Sequence, residues 1–178
     1  MPRSNLVATR PTLLSSCALA STAAESRFRI DRPNAATRNA RVIAVDEHAA
    51  VLVRSASADR AWRGGHFLVF DRVASAAEAG SSLADAVLRT PDGAASLLSV
   101  ELAGADLAVM VATAAARSEA ASVIGDACAQ RMIMSAGLVV AEEGDVGPVV
   151  TALRPNAMVL VVLDQARDVA EILTALRV

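Results

Sequence analysis

The sequence predicts an α/β fold: a three-layer Rossmann-like sandwich built on a mostly parallel sheet of four to six strands. Three observations carry this expectation. Short, continuous apolar runs alternate with Ala-rich segments whose apolar residues recur at spacings of three and four, the periods of buried strands and amphipathic helices. The strand-then-helix pattern repeats at least three times, which implies crossover connections and parallel pairing. The strand-like runs are nearly continuous in apolar residues, as strands covered on both faces are.

Residues 1–38 show no sustained period and read as an irregular arm ahead of a single α/β domain over 39–178. Within the arm, Arg27-Phe28-Arg29-Ile30-Asp31 alternates as a short edge strand would. Further on, Val42-Ile43-Ala44-Val45 and Val51-Leu52-Val53 flank Asp46-Glu47-His48, a pattern open to two readings, a hairpin or one helix over 35–54. Arg60, Arg63, Gly64 and Gly65 then form a turn before His66-Phe67-Leu68-Val69-Phe70-Asp71, an apolar run that ends in an acid and reads as a buried parallel strand.

A Ser81 cap and apolar spacing predict a helix over 81–88, and Pro91-Asp92-Gly93 breaks the chain before a short helix over 94–102. Residues 106–112 form the next strand. Ser118 caps a helix running to 131, with Ala121, Ile124, Ala127 and Cys128 on one face. A strand over 134–141, a turn from Gly144 to Pro148 and a short helix over 149–153 follow. Residues 157–163 are the last strand, and Asp164 caps a helix reaching 176.

Composition narrows the function classes. The chain has 178 residues, 54% of them hydrophobic and 2% aromatic, with a formal net charge of -2. An acidic balance without a basic stripe or stacking aromatics argues against a nucleic-acid partner. No window approaches the roughly 18 uncharged apolar residues of a membrane span. All 17 cations are Arg, so mechanisms that need a P-loop lysine or a Schiff base are excluded. Together with an Ala content of about one residue in five, the lack of Lys matches codon usage in a GC-rich bacterial genome. A mean hydropathy of +0.43 predicts dense burial and a subunit interface, hence a homo-oligomer.

Cys17 and Cys128 belong to no CxxC or Cys/His cluster, so neither a disulfide framework nor a zinc site is indicated. Cys128 reads as a small buried apolar residue on its helix. At the N-terminus, Arg3 and Arg10 precede an apolar stretch over 13–20, and Leu14-Ser15-Ser16-Cys17 has the outline of a lipoprotein cleavage box. Arg10 and Pro11 interrupt that stretch, and its shortness and Ser content favour a cytoplasmic protein.

In open α/β sheets ligands bind beyond the carboxyl ends of the strands. Those ends present Asp71, the loop from Thr113 to Arg117 and Ser118, Glu142 in the Glu142-Glu143-Gly144-Asp145 turn, and Asp164. A rim of carboxylates suits a cation, a sugar hydroxyl or a basic partner. Arg117 and Ser118 stand at a helix start, where free amides attract anions, although Thr113-Ala114-Ala115-Ala116 lacks the glycine that lets a phosphate approach. Of the two histidines, His48 lies in a polar turn with Asp46 and Glu47, and His66 opens a strand as a hydrogen-bonded structural residue. No GxGxxG, GxxxxGK[ST] or GxSxG motif is present.

The order Gly104-Ala105-Asp106-Leu107, apolar strand, small-residue loop, Ala-rich helix and Ala136-Gly137-Leu138-Val139-Val140 resembles the nucleotide-binding core of the bacterial tubulin-like GTPases. That resemblance implies a nucleotide-like ligand at the loop after the strand. Here Thr113 to Ala116 replace the family's glycine-rich phosphate cradle, so no catalytic residue is carried over. The expected function is a non-catalytic small-ligand-binding or assembly module that self-associates. The alternative is an enzyme whose carboxylates and Arg117 act at the strand ends.

Overall fold

The structure, a computed structural model, describes residues 36–178 except 60, 81–84 and 143. The expected arm strand over 27–31, the apolar stretch over 13–20 and Cys17 lie outside the described residues. So does the expected Ser81 cap. The segment open to a hairpin or one helix resolves into a strand, β1 (Ala40–Ala44), and a helix, α1 (Glu47–Asp59). The β-branched run at residues 42–45 supplies the strand. Asp46 then accepts the Ala49 N–H at 2.8 Å and starts the helix. Next come β2 (Gly65–Val73), α2 (Ala76–Ala79), β3 (Ala86–Arg89), β4 (Ala95–Leu97) and α3 (Leu98–Glu101). The chain continues through β5 (Leu107–Ala112), α4 (Ser118–Gln130), β6 (Met134–Val140), α5 (Gly147–Leu153), β7 (Val159–Leu163) and α6 (Asp168–Ala175).

All seven strands join one sheet in the order β4-β3-β2-β1-β5-β6-β7. The five from β2 to β7 are parallel, and β3 and β4 add antiparallel at the β2 edge. Seven strands exceed the expected four to six because two segments predicted as helices contribute strands. Residues 86–89, which overlap the end of the helix predicted over 81–88, pair with the distal half of β2, and the segment predicted as a helix over 94–102 gives β4 before the single turn of α3. The cause is tertiary. Four residues carry little period of their own, whereas the side of β2 away from β1 is an open edge that can take a strand. Buried Asp85 then fastens the corner, its Oδ1 accepting the N–H groups of Ala86 at 2.8 Å and Ser99 at 3.0 Å.

β5 explains why the sheet is stable. All six of its residues are buried, alternating between two hydrophobic clusters. Leu107, Val109 and Val111 join Val42 of β1 with Ala50 and Val53 of α1 and Leu173 of α6. Ala108, Met110 and Ala112 join Ile43 with Leu98 of α3, Ile124 of α4 and Leu153 of α5. The period of two along the strand sends successive side chains to opposite faces. Each large side chain fully buried there contributes about 1.5–3 kcal/mol before entropic costs. Ala at the contacting helix positions lets the backbones approach closely. Among the described residues, no helix is long and apolar enough to cross a membrane.

At the amino ends of the strands, His66 Nδ1 lies 2.7 Å from Glu101 Oε2, and Arg41 Nε donates to the Glu101 carbonyl oxygen at 2.6 Å. His66 is thus the hydrogen-bonded strand residue that the sequence suggests, tying β2 to the end of α3.

Candidate functional site

The chain leaves β1 for β2 on one side and runs from β5 to β7 on the other, so the strand order reverses between β1 and β5. At such a reversal the loops at the carboxyl ends part and leave a crevice. Here the loops are stitched by carboxylates. Asp46, two residues beyond β1, accepts the Thr113 N–H on Oδ2 at 2.8 Å and the Thr113 hydroxyl on Oδ1 at 2.9 Å, while its Oδ1 also caps α1. Thr113 Oγ1 in turn accepts the Ala115 N–H at 3.3 Å. Glu142 Oε1 accepts the Ala166 N–H at 2.6 Å, joining the loop after β6 to the one after β7. Asp145 accepts the N–H of Gly147 at 2.9 Å, at the start of α5.

Two cavities open among these loops. The first, of about 550 Å³, has His48, Leu52, Thr113, Ala115, Val140 and Glu142 in its wall, with Val51, Ala114 and Gly144 completing it. Its surface is apolar apart from His48, Thr113 and Glu142. The second, of about 480 Å³, lies between the distal half of β2 and the start of α4 and includes Asp46, Asp71, Arg72, Arg117 and Glu119.

The sequence-predicted residues therefore divide. Thr113 and Glu142 line the first cavity, and Asp71 and Arg117 line the second. Ser118 and Asp164 line neither. Asp71 does not end its strand: it stands inside β2 where the register to β3 shifts between Phe70 and Arg72, and such a bulge re-aims a side chain. Its Oδ2 pairs with Arg89 at 2.9 Å. Ser118 is the first helical residue of α4 and does not cap it; Arg117 occupies the cap position and makes no side-chain cap hydrogen bond. Asp164 likewise caps no helix, because α6 begins at Asp168 after an intervening turn.

Asp46 and the cavity-facing part of α1 escaped the sequence reading. The available signal was an acid directly after a β-branched run and directly before apolar helical spacing, the position of a helix cap at a strand end. His48, placed by the sequence in a solvated turn, is exposed in the first turn of α1 and contributes to the cavity wall. Cys128 is buried on α4, and that burial pushes its thiol up to about 11. Among the described residues, no group of three or more His, Cys, Asp or Glu side chains is disposed to hold a metal ion. No protein-family model, no curated protein and no solved structure matches the chain.

Proposed function

We propose that the chain is a non-catalytic α/β module that binds a small molecule in the cavity of His48, Thr113 and Glu142 and associates with copies of itself. One observation carries the binding reading. Asp46 and Glu142 at the strand ends are each tied to a loop amide, while the space they frame is open, mainly apolar and of a size suited to a small ligand. The order 2-1-3-4-5 of the parallel strands, with helices in both hydrophobic clusters, supports a three-layer Rossmann-like arrangement with its crevice at the reversal. In this reading the loop from Thr113 to Ala115 and Val140 of β6, which lie within the tubulin-like stretch, form a wall of the cavity and not a phosphate cradle. Two cysteines without a framework are in keeping with a cytoplasmic setting.

The test is an amide NMR titration of the full chain with a fragment set of one- and two-ring amphiphilic compounds. Binding in the cavity shifts the amides of Thr113, Ala114, Ala115 and Gly144. Ala115→Trp, which fills the space from an exposed loop position, abolishes those shifts and leaves the fold intact. Shifts scattered elsewhere, or unchanged by that substitution, refute the reading.

A second reading, an enzyme with a carboxylate and arginine site, draws on the placement of Asp71 and Arg117 in one cleft. Arg117→Ala and Asp71→Asn separate the two. Both substitutions leave ligand binding by the module unchanged, whereas the enzyme reading requires them to abolish it.

A further inference from the structure

Resting on the cavity reading above, we propose that the ligand is an organic cation, a compact apolar body bearing an ammonium or guanidinium group. The argument is a count of hydrogen-bonding capacity. A threonine hydroxyl has one proton and two acceptor sites. The Thr113 proton is given to Asp46 and one acceptor site is taken by the Ala115 N–H, so only an acceptor remains for a ligand. Glu142 is held by one oxygen: Oε1 accepts the Ala166 N–H, and Oε2 makes no hydrogen bond among the described residues. Thr113 and Glu142 can therefore accept but not donate, which leaves the exposed His48 imidazole as the one side-chain donor on the wall. A ligand polar group that brings only acceptors would find no donor on either of them and would depend on His48 alone to replace its water.

Charge points the same way. Glu142 is on the wall and the Asp46 carboxylate lies directly behind Thr113, while no arginine lines this cavity. The cationic Arg117 and the uncapped start of α4, the features that favour an anion, belong to the neighbouring cleft. The start of α1 beside His48 is already capped by Asp46 and carries Glu47 in its first turn. Val51, Leu52, Val140 and the loop alanines receive the apolar body.

Three probes of matched body test this on the full chain: 2-phenylethylamine, 2-phenylethanol and 3-phenylpropionate, each titrated at neutral pH and followed at the Thr113, Ala114, Ala115 and Gly144 amides. The amine binds about tenfold more tightly than the carboxylate, and added salt narrows the gap. Glu142→Gln keeps an oxygen for the Ala166 N–H, weakens the amine about fivefold, as suits an exposed charge pair, and leaves the alcohol unchanged. If the alcohol or the carboxylate binds in the cavity as tightly as the amine, or Glu142→Gln leaves the amine's advantage intact, the cation is overturned and the cavity reading stands. If none of the probes moves these amides, both fall.

Discussion

Asp46 and Thr113, at the carboxyl ends of the adjacent strands β1 and β5, are joined by two hydrogen bonds, 2.8 Å from the Thr113 N–H and 2.9 Å from its hydroxyl. The same carboxylate caps α1, so one side chain fixes a helix start, a strand end and the floor of the reversal crevice.

Removing that carboxylate has a computable cost. Asp46→Ala forfeits a helix cap worth about 1 kcal/mol and leaves the Thr113 N–H without its acceptor, for a total loss of about 2–4 kcal/mol. Thr113→Val removes the longer bond from the Ala115 N–H as well as the hydroxyl bond to Asp46, at about 1–2 kcal/mol. Because the two side chains share that bond, the double variant is less destabilised than the sum of the singles by about 0.5–1 kcal/mol. Urea unfolding of the four proteins measures this coupling, and strict additivity would contradict the geometry.

The contrast between this residue and its neighbours explains what the sequence made legible. β5 and β6 could be read nearly to the residue because, Ser135 apart, both are runs of apolar or small residues and lie inside the sheet, where local pattern and tertiary demand agree. β3 could not: its identity depends on the open edge of β2, which no local period encodes. Helix caps show the same limit. Ser118 and Asp164 are good cap residues by type, but the cap falls one residue earlier at the first and three residues later at the second. Of the site, residue chemistry identified Thr113 and Glu142. Asp71 and Arg117 meet elsewhere because the β2 bulge turns that strand toward α4, and a bulge is invisible before its partner strand is known.

Gly125, inside α4, is required by close packing. A Cβ at this position would stand 2.5 Å from the Asn156 Cβ and 2.6 Å from its Oδ1, and a Cβ cannot swing aside as a side-chain tip can. Gly125→Ala therefore destabilises by about 1–3 kcal/mol despite the better helix propensity of Ala. Thermal or urea unfolding decides the sign: a stabilised variant would mean that the residues after α5 yield freely.

Burial of Cys128 fixes its reactivity. With the thiol pushed up to about 11, its thiolate fraction at pH 8 is about a hundredfold below that of an ordinary cysteine. In a Cys17→Ser background, iodoacetamide modifies the native protein at least that much more slowly than the urea-unfolded chain. Equal rates would show that the face of α4 carrying Cys128 opens readily.

Glu78 links stability to pH. Its hydrogen bonds from Arg72 and then from Ser75 hold the carboxyl well below the ordinary carboxylate range. Such a group binds its proton less readily when folded than when unfolded. Its contribution is therefore complete above the unfolded carboxylate range, near pH 4.3, and is lost as pH falls below it. The stability difference between the wild type and Glu78→Gln shrinks between pH 6 and pH 3, with the wild type the more stable at the upper end. A difference constant across that interval in urea unfolding would mean that the ion pair with Arg72 does not persist in solution.

The proposed self-association is predicted to use the β7 edge. Among the described residues β7 pairs only with β6, and its sequence, Val-Leu-Val-Val-Leu, contains no charge or proline to discourage a further strand. Val159 and Val162 are 45% and 46% exposed, and the adjoining Met158 is 75% exposed, so both the backbone edge and the apolar surface beside it are open to a second copy. Edge pairing between two copies satisfies the free backbone groups and covers these side chains together. Light scattering at micromolar concentration accordingly gives a dimer for the wild type and a monomer for Val162→Arg, whose charge would lie against the partner edge. A monomeric wild type would refute self-association, and a Val162→Arg dimer would move the interface away from β7.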